Sequence, residues 1–146
     1  MREILFRGKR TDNGEWVKGF YCVFNDKAHR IYTGYAETDC GNYYPDAFEI
    51  DPSTVGQYTG LSDKCGTKIF EGDIIYKPPR KITPYYLVKS ERYKIIFRNG
   101  SFCYSDLDGD TYWSIDDCDF GIGTEDYTII GNVYDNPELL KESEQA

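Results

Sequence analysis

The sequence predicts a mainly β protein, and three observations carry that prediction. Fourteen Tyr, eight Phe and fourteen Gly stand in a 146-residue chain with a single Met, a composition that suits pleated, half-buried surfaces and tight turns better than helices. Two Asn-Gly dipeptides, Asn13-Gly14 and Asn99-Gly100, each lie between apolar-rich runs, the strongest short-range signal of a hairpin. Between them, Val55 to Tyr58 and Ile69 to Tyr76 read as short β segments, with Gly60, Gly66 and Gly72 placed where the chain changes direction. A chain of 146 residues can bury a core without disulfides or metals. The expected organisation is one domain over 1–146, with an N-terminal β part at about 1–50, a barrel-like part at about 51–140 and a frayed polar tail at 141–146.

The first element is a hairpin about Asn13-Gly14. A two-residue turn there would set Phe6 opposite Tyr21 and Ile4 opposite Val23 on one face, with Leu5, Trp16 and Phe20 on the other, so both faces are expected to be covered. His29 to Tyr35 then reads as a short strand, and Asp39 to Pro45, with Tyr43 and Tyr44, as an irregular loop. His29 is the single histidine and follows Asn25-Asp26-Lys27, the setting of a solvated turn. It has no nucleophile or carboxylate beside it in a recognisable arrangement, so no catalytic residue is assigned. Asp51-Pro52-Ser53 bends the chain ahead of the central stretch.

That stretch describes turns. Asp63 can bond backbone groups two residues on, Gly66 can take the left-handed conformation that closes such a turn, and Gly72-Asp73 does the same ahead of Ile74-Ile75-Tyr76. Its residues Tyr58, Thr59, Gly60, Leu61, Asp63, Lys64, Gly66 and Ile69-Phe70-Glu71-Gly72-Asp73-Ile74-Ile75 resemble the signature of the YopX family, small proteins of bacteriophages and prophages. The opening Arg2 to Arg7 and the closing Ile130 to Leu140 agree with it, so start, middle and end match in order. The pattern departs at Cys65, where a turn residue such as Asn is expected, and at the proline-rich insert after Tyr76. The resemblance implies a mainly β fold with an SH3-like barrel in the C-terminal part, no established biochemical activity, and residence in the cytoplasm of a bacterial host. In it Tyr58, Thr59, Gly60, Leu61, Asp63, Gly66, Glu71, Gly72 and Asp73 are structural residues.

After Tyr76, Lys77 to Pro84 contains three prolines, which remove three backbone donors and argue for an exposed loop rather than a central strand. Tyr93 to Arg98 and Ser101 to Tyr104 flank Asn99-Gly100. In a two-residue register Phe97 faces Phe102 and Ile95 faces Tyr104, and that face is expected to be core. The chain closes with a strand over Tyr127 to Tyr134 and a short C-terminal helix, capped by Asn136 with Pro137 in its first position.

Charge is uneven. Lys77, Arg80, Lys81, Lys89, Arg92, Lys94 and Arg98 face a single acid, Glu91, whereas Asp106 to Asp126 holds eight acids and no base. One reading makes Arg80, Lys81, Lys89 and Arg92 a nucleic-acid contact, interleaved with Tyr85, Tyr86 and Tyr93. The other pairs the basic and acidic segments with each other, and a net charge of −8 favours it because the whole chain repels phosphate. Asp106-Leu107-Asp108-Gly109-Asp110 lacks the ligand order and closing Glu of a calcium loop and reads as a turn. Cys22, Cys40, Cys65, Cys103 and Cys118 are odd in number with no close pair, and read as free thiols, so neither a metal site nor a cofactor is expected. No long apolar run or basic-then-apolar leader is present, so no membrane contact is expected. With no catalytic constellation, the expectation is a non-catalytic binding or regulatory module. Its partner is a protein or a second copy, and the expected surface is Tyr32, Tyr35, Tyr43 and Tyr44, because tyrosine joins a large apolar face to a polar tip.

Overall fold

The computed structural model describes residues 2–115 and 126–141. Among these, antiparallel strands and two short 3-10 turns account for the regular structure, with no α-helix, so the chain is mainly β. It divides into two compact units, Met1–Gly60 and Leu61–Ala146.

In the first unit β1 (Phe6–Lys9), β2 (Trp16–Phe24), β3 (Ala28–Glu37) and β4 (Tyr43–Glu49) form a meander, and β5 (Gly56–Ser62) pairs with the other side of β1, giving the order β4-β3-β2-β1-β5. The β1–β2 register differs from the expected one, because Phe6 pairs with Gly19 rather than Tyr21. Arg10 N–H donates to the Glu15 carbonyl, which makes 11–14 a four-residue loop. Asn13 uses its side chain to accept from Glu15 N–H and only Gly14 turns left-handed (φ 72), so the dipeptide does not form the two-residue turn. A shift of two residues preserves the faces, and Phe6 still meets Tyr21, with ring centroids 5.7 Å apart. At Gly19 an added Cβ would collide with the carbonyl oxygen of Tyr32, so only glycine lets the β3 backbone lie this close to β2.

The β2–β3 turn places Asn25 and Asp26 at φ 52 and 56, a left-handed pair that the sequence carries as Asn-Asp instead of Asn-Gly. It starts β3 at Ala28, ahead of His29, so His29 is a half-buried strand residue and not a solvated loop residue. Tyr43 and Tyr44 likewise belong to a strand, because the loop closes early, with Thr38 N–H donating to the Asn42 carbonyl at 2.7 Å. Ile31 and Ile50 are buried, and Asp51 caps a 3-10 turn over Pro52–Thr54 by accepting from Ser53 N–H.

The second unit holds β6 (Lys68–Phe70), β7 (Asp73–Lys77), β8 (Arg80–Thr83), β9 (Tyr86–Val88), β10 (Glu91–Arg98), β11 (Ser101–Ser105), β12 (Tyr112–Ser114) and β13 (Thr128–Asn132). One sheet has the order β12-β11-β10-β7-β13, and β8 and β9 form a separate two-stranded ribbon. The sheets are open and antiparallel, with β12 and β13 as edges, so no closed barrel is present among the described residues. Asn99 and Gly100, at φ 53 and 80, form the expected two-residue turn and set Phe97 against Phe102 and Ile95 against Tyr104. Only the end away from the turn is core, since Ile95 and Tyr104 are buried while Phe97 is exposed. Ile69, Ile75, Ile95, Tyr104 and Tyr127 make the core, with Tyr93, Trp113, Ile115 and Ile129 packed on it. Lys77 to Pro84 is not a simple loop, because Pro78 and Pro79 precede β8 and Pro84 sits in the β8–β9 turn, which leaves the strands between them free to pair.

The C-terminal helix is a single 3-10 turn over Pro137–Leu140, and Asn136 does not cap it. Its Oδ1 instead accepts from Asn132 N–H at 3.2 Å, tying the turn back to β13. Asp106 Oδ1 accepts from Gly109 N–H and Thr111 N–H, which makes 106–111 the turn expected of it. Cys22, Cys40, Cys65 and Cys103 are free thiols, while Cys118, the acids Asp116, Asp117, Asp119 and Glu125, and the tail 142–146 lie outside the described residues. Among the described residues no helix is long and apolar enough to cross a membrane.

Candidate interaction surface

Part of the signature ties backbone together. Asp63 is buried between β5 and β6, where Oδ1 accepts from Cys65 N–H and Thr67 N–H, each at 2.9 Å, and Oδ2 accepts from Ile129 N–H at 3.0 Å. Burial alone would push its carboxyl upward, but these donors from Ile129, Thr67 and Cys65 outweigh it and hold the group below the usual carboxylate range. One carboxylate thus joins the turn to the closing strand 66 residues away. Gly66 is left-handed at φ 81, and Cys65 contributes its backbone N–H to the turn while its thiol stays exposed. Gly72 (φ 93) accepts from Val133 N–H, and Asp73, also buried, accepts from Phe70 N–H at 2.7 Å. Tyr58 and Thr59 are half-buried on β5, Gly60 and Leu61 lie toward its exposed end, and Glu71 is half-buried. Asp63, Gly66, Gly72 and Asp73 are occupied with holding backbone, and the candidate for function lies elsewhere.

It lies on β2, β3 and β4. Phe20 pairs with Tyr32, Tyr32 with Ala47, Tyr35 with Pro45, and Glu37 with Tyr43, so strand alternation puts Phe20, Tyr32, Tyr35 and Tyr43 on one face of the sheet. Tyr35 is 77% exposed, Tyr43 70% and Phe20 69%, and Tyr32 is half-buried among them. Phe24 joins the same face, its ring 6.4 Å from that of Tyr32 and edge-on to it. Tyr44 pairs with Ala36 and points to the other side, so the structure separates it from the tyrosines it was grouped with. Sequence reasoning missed Phe20 and Phe24 by covering both faces of the first hairpin. Trp16 is half-buried, with the Arg7 guanidinium 4.8 Å and the Lys9 ammonium 5.4 Å from its ring centroid. The opposite face is polar in one place, where the Tyr21 hydroxyl meets His29 Nδ1 and the two rings stack 5.9 Å apart. Burial raises the Tyr21 phenol above its ordinary range.

The basic segment is divided by its surroundings. Arg80 pairs with Glu91 at 2.9 Å, and Arg92 donates to the Leu139 carbonyl at 3.0 Å. Lys81 and Lys89 are exposed on and beside the ribbon. Lys77 lies 3.4 Å from Asp126, one ion pair of the kind that a basic and an acidic segment side by side would make. Among the described residues no group of three or more His, Cys, Asp or Glu is placed to hold a metal ion.

Fold and surface together define a small, mainly β protein of open antiparallel sheets with an aromatic outer face. The YopX protein family matches residues 5–141, and the chain belongs to that family. Among solved structures it is similar to protein EF1440 from Enterococcus faecalis, at 25% identity and a TM-score of 0.63, over 97% of this chain and 100% of that one. Among curated proteins none matches it in sequence.

Proposed function

We propose that this protein is a non-catalytic binding or regulatory module of phage or prophage origin, working in the bacterial cytoplasm by contacting another protein through the outer face of β2, β3 and β4. The observation that carries the reading is the exposure of Phe20, Tyr35 and Tyr43 on one face around Tyr32. Large rings left in water on a rigid sheet are costly to the free protein and are typical anchors of a protein interface. A face of this kind also suits unpaired bases, with Lys18 and Arg30 exposed among the rings. The net charge of −8 weighs against that partner, and so do the internal ties of Arg80 and Arg92 for the basic segment.

A photo-cross-linking residue placed at Tyr35 tests the reading, with the same residue at Tyr44 as the control on the opposite face. The expected result is a discrete protein adduct from Tyr35 and little from Tyr44. Equal adducts from both positions, or retention of the chain on a DNA column at low salt that is lost with Phe20→Ser, would overturn it.

A further inference from the structure

The β8–β9 ribbon also leaves apolar side chains in water. Tyr85, in its turn, is 98% exposed, and Ile82, Tyr86 and Leu87 are all more than half exposed. A two-stranded ribbon standing apart from a larger sheet is marginal in water and gains from a surface to lie on. The ribbon and its flanks, residues 77–90, contain Lys77, Arg80, Lys81 and Lys89 and no acid. Lys77 and Arg80 are paired within the molecule, with Asp126 and Glu91, which leaves Lys81 and Lys89 as the ribbon's outward charge. The other 15 of the 17 bases stand against 25 acids, so the remainder of the molecule is acidic.

We infer that the ribbon is a self-association arm whose occupant is a second copy of this chain. Two ribbons laid face to face would oppose Lys81 and Lys89 to their own copies. Each ribbon therefore seats on the acidic surface of the other molecule, and two-fold symmetry makes the contact twice and closes the pair. The bulge in β8 between Lys81 and Thr83 and Pro84 in the turn interrupt the strand edge, so the contact is made by side chains and not by extending the sheet. Leu87 pairs with Lys81 and shares its face, with Tyr85 beyond it in the turn, while Tyr86 points to the other side. Tyr85 alone offers roughly 200 Å² to such a contact, against about 800 Å² per partner in a stable interface, before Leu87 and the reciprocal ribbon are added. This contact does not depend on the aromatic face of β2 to β4, and the two fail separately.

Sedimentation velocity of the full chain, from about 1 to 100 μM at low and high salt, tests it. The expected result is a monomer–dimer equilibrium that weakens with salt, and a dissociation constant raised about tenfold or more by Tyr85→Ser with Leu87→Ser, with the melting temperature unchanged. Lys81→Glu with Lys89→Glu leaves the rings in place and is expected to weaken the dimer similarly. It decides the matter if the first variant fails to fold. A monomer throughout the range, or a dimer indifferent to both variants, overturns the inference. So does tight binding of a labelled oligonucleotide, single-stranded or duplex, by a monomeric chain in a manner that Lys81→Glu with Lys89→Glu abolishes.

Discussion

Replacing Asp63 with Asn removes one charge and changes almost no volume, so it isolates the hydrogen bonding that joins the signature turn to β13. The carboxylate accepts from Cys65 and Thr67 through Oδ1 and from Ile129 through Oδ2. An Asn side chain can keep its oxygen on the two turn amides, and its NH2 group then confronts the Ile129 N–H, donor against donor. One charge-assisted bond is lost and two become neutral, together about 3 kcal/mol, while Asp63→Ala loses all three and costs about 4 to 5 kcal/mol. At roughly 3 °C per kcal/mol for a chain of this size, Asp63→Asn should lower Tm at pH 7 by about 9 °C in a thermal melt followed by circular dichroism. The pH dependence gives a second readout. A carboxyl held below its ordinary value of 3.8 contributes stability above that value, and the contribution disappears as pH falls through the lower folded-state value. The gap between wild type and Asp63→Asn should therefore narrow as pH is lowered from 7 toward 2. An Asn variant as stable as wild type at pH 7, or a gap constant across that range, would mean that the Asp63 carboxylate does not hold β13 to the turn.

Three further outcomes follow from particular side chains. Gly19→Ala would push a Cβ into the Tyr32 carbonyl oxygen and should cost about 3 kcal/mol or more in denaturant unfolding, whereas Gly41→Ala, with open space but φ 76, should cost only about 1 kcal/mol. Tyr127 is fully buried and its hydroxyl has no hydrogen-bond partner among the described residues, so Tyr127→Phe should leave Tm unchanged or raise it, and a fall of several degrees would contradict this. Burial, with the nearby Glu91 charge, pushes the Tyr93 phenol up to about 12, so in an alkaline absorbance titration this tyrosine should ionise well after the exposed ones. The stability it contributes is present below the ordinary phenol value of 10.0 and is lost as pH rises toward 12.

What the sequence disclosed was local, and what it concealed depended on contacts distant in the chain. Asn99-Gly100 was legible because both residues supply the left-handed angles that a two-residue turn requires. Asn13-Gly14, the same dipeptide, behaves otherwise because the Asn13 side chain bonds Glu15 N–H and widens the loop. The turn at Asn25-Asp26 was hidden by the absence of glycine, and with it the start of β3, while the strand character of Tyr43 and Tyr44 depends on the loop that closes between Thr38 and Asn42. Asp63 was recognisable as a turn residue from its neighbours two positions on. Its bond to Ile129 was not, since nothing in the local pattern points 66 residues ahead. For the candidate surface, Tyr32, Tyr35, Tyr43 and Tyr44 were visible as a group, but the split between Tyr43 and Tyr44 and the addition of Phe20 needed the strand register. The open sheets differ from the barrel that the family resemblance implied because β12 and β13 do not pair with each other.

In the proposed function, the exposed rings of β2, β3 and β4 serve a partner rather than the fold. The most direct measurement combines Phe20→Ser, Tyr35→Ser and Tyr43→Ser in the full chain and follows two quantities together: retention of the partner identified by cross-linking at Tyr35, and Tm. Because each of these side chains is already more than two-thirds exposed, the expected result is a loss of retention of about tenfold or more with Tm changed by no more than about 2 °C. Full retention by the triple variant, or a fall in Tm of the size that emptying a core position produces, about 3 kcal/mol, would contradict it.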